Sequence, residues 1–197
     1  MSEQLPPFAR GLTVTPRAIA YARDRHADQR RQVDAAPFIL HPLEVAMLLH
    51  GRGYDDEVVA AGALHDVLEK TSAQRGDLEA RFGARVAGLV AAVSDPESVE
   101  GYEERKAALR RQVAAAGPDA QAIYAADKVA KARELRAQAA RLHVSLADPD
   151  LRQRLSHYER SLETLQQALP DAALVHQLEF ELWALRQLPP PRDPPAG

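Results

Sequence analysis

The 197-residue sequence predicts an all-α fold, a single bundle of about eight or nine helices. Three observations carry that expectation. Strong helix formers dominate: alanine, leucine and arginine are abundant, aromatics make up 5%, and strand-favouring runs of Val, Ile, Thr and Tyr are scarce. Apolar residues recur at three- and four-residue steps along most of the chain. Proline and glycine punctuate those stretches, with Pro16 and Pro118 near starts and Gly51, Gly53 and Gly117 at ends. The length fits one domain and is enough to bury a core without disulfides or metal staples.

Taken in order, residues 1–12, with Pro6, Pro7 and Gly11, read as a flexible N-terminal arm, and residues 13–188 as the folded body. Thr15 and Pro16 read as the N-cap and first position of a helix running through Ala18, Ile19 and Ala22 to His26. Residues 28–37 are polar and end in proline, so they form a loop. Residues 40–53 are helical, with Leu43, Ala46, Met47 and Leu49 at helical spacing. Residues 55–71 read as one helix whose acidic start suits the helix dipole. Residues 73–95 give two short helices meeting near Gly83. Helices at 100–117, 118–143, 148–170 and 171–188 complete the set, the last carrying Phe180, Leu182 and Trp183 as core-packing side chains. The tail at 189–197, PPPRDPPAG, cannot pack as helix and reads as disordered.

Composition excludes several classes. There is no cysteine, hence no disulfide framework and no thiolate metal site, and a reducing cytoplasm is the expected setting. No apolar leader follows Met1, and no run approaches the roughly 18 apolar residues that span a membrane, so neither export nor membrane insertion is expected. A net charge of −3 gives no global basic field, so nucleic acid is not an expected partner. ERKAALRR (104–111) is basic but sits among acids and reads as a solvated helix face.

The stretch that raises chemistry is AGALHDVLEK (61–70). It sets His65, Asp66 and Glu69 in an apolar run with Leu64, Val67 and Leu68. Asp66 and Glu69, and His65 and Glu69, lie at neighbouring steps of a helix surface. His65 and Asp66 diverge by about 100° on a helix, yet both reach one ion placed over the edge between them. Other segments must complete such a site. His41 directly precedes Pro42, which restricts its backbone. Asp127 lies in the apolar run IYAADKVAK, where a carboxylate is costly unless paired or bound to a cation. Two imidazoles and two carboxylates suit manganese, iron or zinc better than calcium. Each residue also has a plainer reading: His41 as a helix-capping side chain, Asp127 as a partner of Lys128 or Lys131, and His-Asp as a chance pair in a chain with 7 His. From spacing alone both readings stand.

The order of segments AAPFILHPLEVAMLL, AAGALHDVLEKT, FGARVAGLVAAVSD and AADKVAKARELR resembles the HD-domain alarmone hydrolases, which include the hydrolase part of RelA/SpoT-type proteins and small stand-alone enzymes. RHADQRR (25–31) resembles the segment this family places before its first metal ligand. The resemblance covers about residues 17–165. It implies an all-helical HD domain that binds Mn2+ and removes the 3′-pyrophosphate of guanosine tetra- and pentaphosphate by a metal-activated water. Carried over by position, it makes His41, His65, Asp66 and Asp127 the metal ligands and Glu69 a catalytic carboxylate. Arg31 matches a basic residue lining the nucleotide site, and Tyr158 in RLSHYER an aromatic near the substrate phosphates. The partner implied is a small phosphorylated nucleotide, and the protein a monomer or homodimer.

The chain departs from that pattern at two charged positions. Lys70 stands at a catalytic position where the family has a second acid, either abolishing water activation or gripping an extra phosphate or Asp66, and Lys131, a candidate substrate-binding residue, stands where the family has an asparagine four residues after the last ligand. The lysine the family carries shortly before that ligand is also missing, since QAIYAAD offers Gln121 and Tyr124. Three functions therefore stay open from sequence: alarmone pyrophosphohydrolase, HD phosphohydrolase on another phosphorylated nucleotide, and a nucleotide-binding relative impaired in turnover.

Overall fold

The computed structural model describes residues 5–96, 98–142 and 148–187. Among them lie ten α-helices and one 3-10 turn, Pro7–Ala9, and no strand. The helices are α1 (Val14–Arg25), α2 (Leu40–His50), α3 (Asp56–Leu64), α4 (Val67–Lys70), α5 (Arg75–Phe82), α6 (Ala84–Val93), α7 (Tyr102–Ala115), α8 (Pro118–Leu142), α9 (Pro149–Ala168) and α10 (Ala173–Arg186). The all-α expectation holds. An isolated antiparallel bridge between Arg30 and Pro37 pinches the loop between α1 and α2.

Helix α3 is the axis of the fold. Every residue from Val58 to Leu64 is buried, so it is apolar all round and needs cover on each side. Helices α1, α2, α6 and α8 supply that cover. The approach of α2 depends on Gly62, because a Cβ there would stand 2.5 Å from Leu49 Cδ1. Helix α8 forms the second wall, packed against α2, α3, α6, α9 and α10.

Four expectations are corrected. The single helix at 55–71 is broken at His65 and Asp66, which separate α3 from α4, and this adds one helix to the expected count. Helix α1 begins at Val14, and Thr15 is not its cap. Instead the Asp56 carboxylate, at the start of α3, accepts from the backbone N–H of Thr13 at 2.6 Å, Val14 at 2.8 Å and Thr15 at 2.9 Å, and from the Thr15 hydroxyl at 2.7 Å. First-turn N–H groups lack helical acceptors, and a carboxylate there also meets the positive end of the dipole. Pro16 then falls at the third helical position, where its missing N–H costs nothing. The second half of the expected arm is packed: Ala9 is fully buried and Phe8 packs against His50 with ring centroids 5.8 Å apart and planes tilted by 48°. On α10, Leu174, Val175, Leu178, Leu182 and Leu185 face the core, but Phe180 and Trp183 are 57% and 55% exposed. The expected tail at 189–197 lies outside the described residues.

Candidate metal and phosphate site

The break between α3 and α4 lies at the site. His65 and Asp66 keep right-handed helical backbone angles at this break, and their Nε2 and Oδ2 atoms come within 3.5 Å of each other, as the helical spacing allows. His65 Nδ1 donates to the Gly62 carbonyl at 2.8 Å, which leaves its Nε2 lone pair directed away from its own helix. His41, in the first turn of α2, brings its Nε2 to 3.2 Å from that atom. Asp127 Oδ1, from the middle of α8, lies 3.1 Å from His41 Nε2 and 3.3 Å from His65 Nε2. Asp66 Oδ2 lies 3.5 Å from His65 Nε2 and 3.7 Å from His41 Nε2. All four residues are at most 5% exposed.

The separations among His41, His65 and Asp127 fit one cation, with Asp66 Oδ2 beside both imidazoles. Bonds of about 2.0–2.2 Å at angles between square and tetrahedral put neighbouring ligands about 2.9–3.6 Å apart, and the measured spacings cluster there. Asp66 Oδ2 is buried and makes no hydrogen bond among the described residues, a costly state for a carboxylate oxygen without a cation. Burial alone would raise the pKa of both aspartates. The nearby imidazoles and lysines outweigh it and hold Asp66 and Asp127 well below the usual carboxylate range, so both are anionic. Burial lowers the pKa of His41 and favours the neutral imidazole a metal needs.

The cluster opens into a cleft of about 780 Å³ whose walls are rich in cations. Lys70, Lys106, Lys128, Lys131, Arg30, Arg31 and Arg154 line it, against the acids Asp66 and Glu134. The net charge of −3 conceals this local excess. Two of the lysines engage the cluster itself. Lys128 Nζ lies 2.7 Å from Asp127 Oδ2 and sits over the Tyr124 ring, and Lys131 Nζ lies 2.9 Å from Asp127 Oδ1. Lys70 lies over Phe38, its Nζ 5.6 Å from the ring centroid.

The sequence-derived residues divide accordingly. His41, His65 and Asp127 form one compact group, Asp66 Oδ2 lies 3.5 and 3.7 Å from the two imidazoles, and Lys70, Lys131, Arg31 and Tyr158 line the cleft above. Arg31 is already engaged by Asp34, through a 3.1 Å bond from Nε to Oδ1 and a shorter one from Nη2 to Oδ2. Glu69 is not among the residues lining the cleft. Its Oε1 accepts from the Asp95 N–H at 2.5 Å, and it faces a neighbouring cavity of about 470 Å³. Burial lowers the pKa of Lys106, against which the Glu69 charge acts; burial also acts to lower that of Lys131, but Asp127, Asp66 and Glu69 together hold it raised. Tyr124 instead binds Ser161 Oγ at 2.9 Å, and Gln121 the Ala114 carbonyl at 3.0 Å. Sequence reading missed Tyr102, Lys106, Lys128, Arg154 and His157 as cleft residues. The one local signal was Lys128, a second charge in the apolar run around Asp127.

The chain is an all-α bundle that holds a buried His, His-Asp and Asp cluster under a cationic cleft, a donor set that fits a divalent metal. The HD domain family matches residues 18–151, and the chain belongs to it. The Guanosine-3′,5′-bis(diphosphate) 3′-pyrophosphohydrolase of Aquifex aeolicus is 36% identical over 107 residues, 54% of this chain and 15% of that protein. The human protein of that name, MESH1, is 35% identical over 121 residues, 60% of this chain and 67% of its own. The chain thus spans about a seventh of the bacterial relative and two thirds of the human one. A solved structure described as a metazoan ortholog of SpoT that hydrolyses ppGpp superposes with a TM-score of 0.76 at 28% identity, covering 94% of this chain and 99% of that one. No helix among the described residues is long and apolar enough to cross a membrane.

Proposed function

We propose that this chain is a metal-dependent phosphohydrolase that removes the 3′-pyrophosphate of guanosine tetra- and pentaphosphate, so that the tetraphosphate yields GDP and pyrophosphate. One observation supports the reading: His41, His65 and Asp127 meet at the spacing of cation ligands, with Asp66 Oδ2 3.5 and 3.7 Å from the two imidazoles, at the foot of a cleft lined by seven cationic side chains. His41, His65, Asp66 and Asp127 would hold the cation, with Mn2+ our choice among divalent metals. When bound, it supplies Lewis-acid polarisation and an acidified water.

The other residues then have roles. Lys70, Lys131 and Arg31 hold phosphate oxygens, Arg31 after releasing Asp34. Tyr158 borders the phosphates. Glu69, three residues after Asp66, takes the proton of the attacking water once it leaves the Asp95 N–H. The relatives' printed names, which specify 3′-pyrophosphohydrolases, support the choice of substrate. On this reading the protein works in the cytoplasm as a monomer or homodimer. Residues 13–188 form the catalytic domain.

A second reading has one observation in its favour. Glu69 is held on Asp95 while Lys70 fills the cleft beside the metal cluster, an arrangement suited to binding a nucleotide without turning it over. A substrate panel separates the two. Guanosine tetraphosphate should be hydrolysed in Mn2+ at the 3′ position, with GTP left intact. Hydrolysis of GTP or of other 5′-phosphorylated nucleotides in its place would overturn the assignment, and binding without product would favour the second reading.

A further inference from the structure

Two side chains lining the cleft carry a buried polar atom that makes no hydrogen bond among the described residues. One is Asp66, in the metal cluster. The other is His157 of α9, whose Nε2 is unpartnered although the residue is only 3% exposed. Its second nitrogen is accounted for: Arg110 Nη1, from α7, lies 3.0 Å from His157 Nδ1, and Arg110 is itself buried. A guanidinium only donates, so Nδ1 must accept. A neutral imidazole accepting at Nδ1 carries its proton on Nε2, and that N–H is the atom left without an acceptor.

We propose that His157 is a substrate-binding residue, whose Nε2–H, fixed as a donor by Arg110, hydrogen-bonds a phosphate oxygen of the bound nucleotide. This rests on the phosphohydrolase reading above for the identity of the nucleotide. The surroundings favour an anionic acceptor. Tyr102, Lys106 and Arg110 face the ring from α7, Lys128 and Lys131 bear on it from α8, and Arg154 and Tyr158 share its own helix. Burial and the four cations Lys128, Lys106, Arg110 and Lys131 push its pKa down to about 2, so the ring stays neutral under ordinary conditions. A neutral donor among cations adds direction to a phosphate contact without adding charge, and its contribution does not titrate near neutrality.

Nitrogen-15 spectra of the histidine rings in the full-length protein, freed of metal with EDTA, test this without turnover. The expected result is an Nε2–H tautomer for His157 from about pH 6 to 8, with its Nε2 resonance shifted by added inorganic pyrophosphate. An Nδ1–H tautomer, an imidazolium, or no shift at saturating pyrophosphate would overturn the proposal. Kinetics give a second arm. His157→Phe should raise KM for guanosine tetraphosphate about tenfold with kcat within about twofold, the signature of uniform binding lost. His157→Gln, which restores an N–H near the Nε2 position, should recover most of that loss. An unchanged KM in the Phe variant, or equal losses in both variants, would contradict the proposal. If the Phe variant fails to fold, the spectra of the unmodified protein decide. Absence of guanosine tetraphosphate hydrolysis would remove the substrate assignment and leave the pyrophosphate result standing.

Discussion

Gly62→Ala tests the link between helix packing and the metal cluster. The added Cβ would lie 2.5 Å from Leu49 Cδ1, where ordinary carbon contacts are about 3.5–4.0 Å. Leu49 is fully buried, so either its rotamer changes or α2 and α3 separate by about 1 Å. Overpacking of this kind costs about 1–3 kcal/mol. For a chain of this size that is a fall in Tm of roughly 3–10 °C. His41 rides on α2, and His65 follows α3. A separation of about 1 Å would take their Nε2 atoms from 3.2 Å to about 4 Å, beyond the roughly 3.6 Å that neighbouring ligands of one ion span. The variant should therefore lose stability in EDTA and also lose much of the extra stability that Mn2+ confers. At a hundredfold excess over Kd that extra term is about 2.7 kcal/mol for the unmodified protein. Thermal unfolding by circular dichroism with and without Mn2+ reads both. Gly88→Ala is the control: a Cβ there meets nothing within 4 Å, and it should stabilise α6 by up to about 1 kcal/mol. A Gly62→Ala protein with unchanged Tm and unchanged metal stabilisation would refute the packing argument.

Asp56→Ala should lower stability by about 1–2 kcal/mol, because it removes the acceptor for three N–H groups of α1. Burial works to raise the Asp56 pKa, but its bonds from Val14, Thr15 and Thr13 outweigh it and depress it. Its contribution is therefore present above the unfolded carboxylate pKa of about 3.9 and lost as pH falls below it; denaturant midpoints measured down through that range should show the variant converging on the parent. Lys131→Asn removes a cation 2.9 Å from Asp127 Oδ1 and should tighten Mn2+ binding by about tenfold or more in titration calorimetry, a modest claim against the roughly 4 kcal/mol between unit charges 4 Å apart at an effective dielectric of 20. Unchanged affinity would mean the lysine does not compete for the carboxylate. Lys70→Asp should weaken hydrolysis of guanosine tetraphosphate by about tenfold through KM, since it replaces a cleft-lining cation with an anion; faster turnover would instead mark Lys70 as a lost acid.

Much of the candidate site was legible because its candidate ligands sit in ordered motifs at separable positions. His41 before Pro42, the His65-Asp66 pair and Asp127 in an apolar run could each be singled out locally. The break between α3 and α4 could not: LHDV contains neither glycine nor proline, and His65 and Asp66 keep right-handed helical backbone angles there. Asp56 capping α1 was hidden for a different reason, since its partners lie more than 40 residues away. The turn of Glu69 toward the Asp95 N–H is likewise a tertiary contact. Lys106, Lys128, Arg154 and His157 come from α7, α8 and α9, and no single segment shows that they share a cleft.

The central claim is that the buried cluster holds a divalent cation used for hydrolysis. It is tested most directly by incubating the purified protein with guanosine tetraphosphate, with and without Mn2+, and following GDP and pyrophosphate by ion-exchange chromatography. Asp66→Ala serves as the matched control. The account predicts metal-dependent release of both products, absent in EDTA and lost in the control. No release from folded, metal-loaded protein, or equal release from Asp66→Ala, would contradict it.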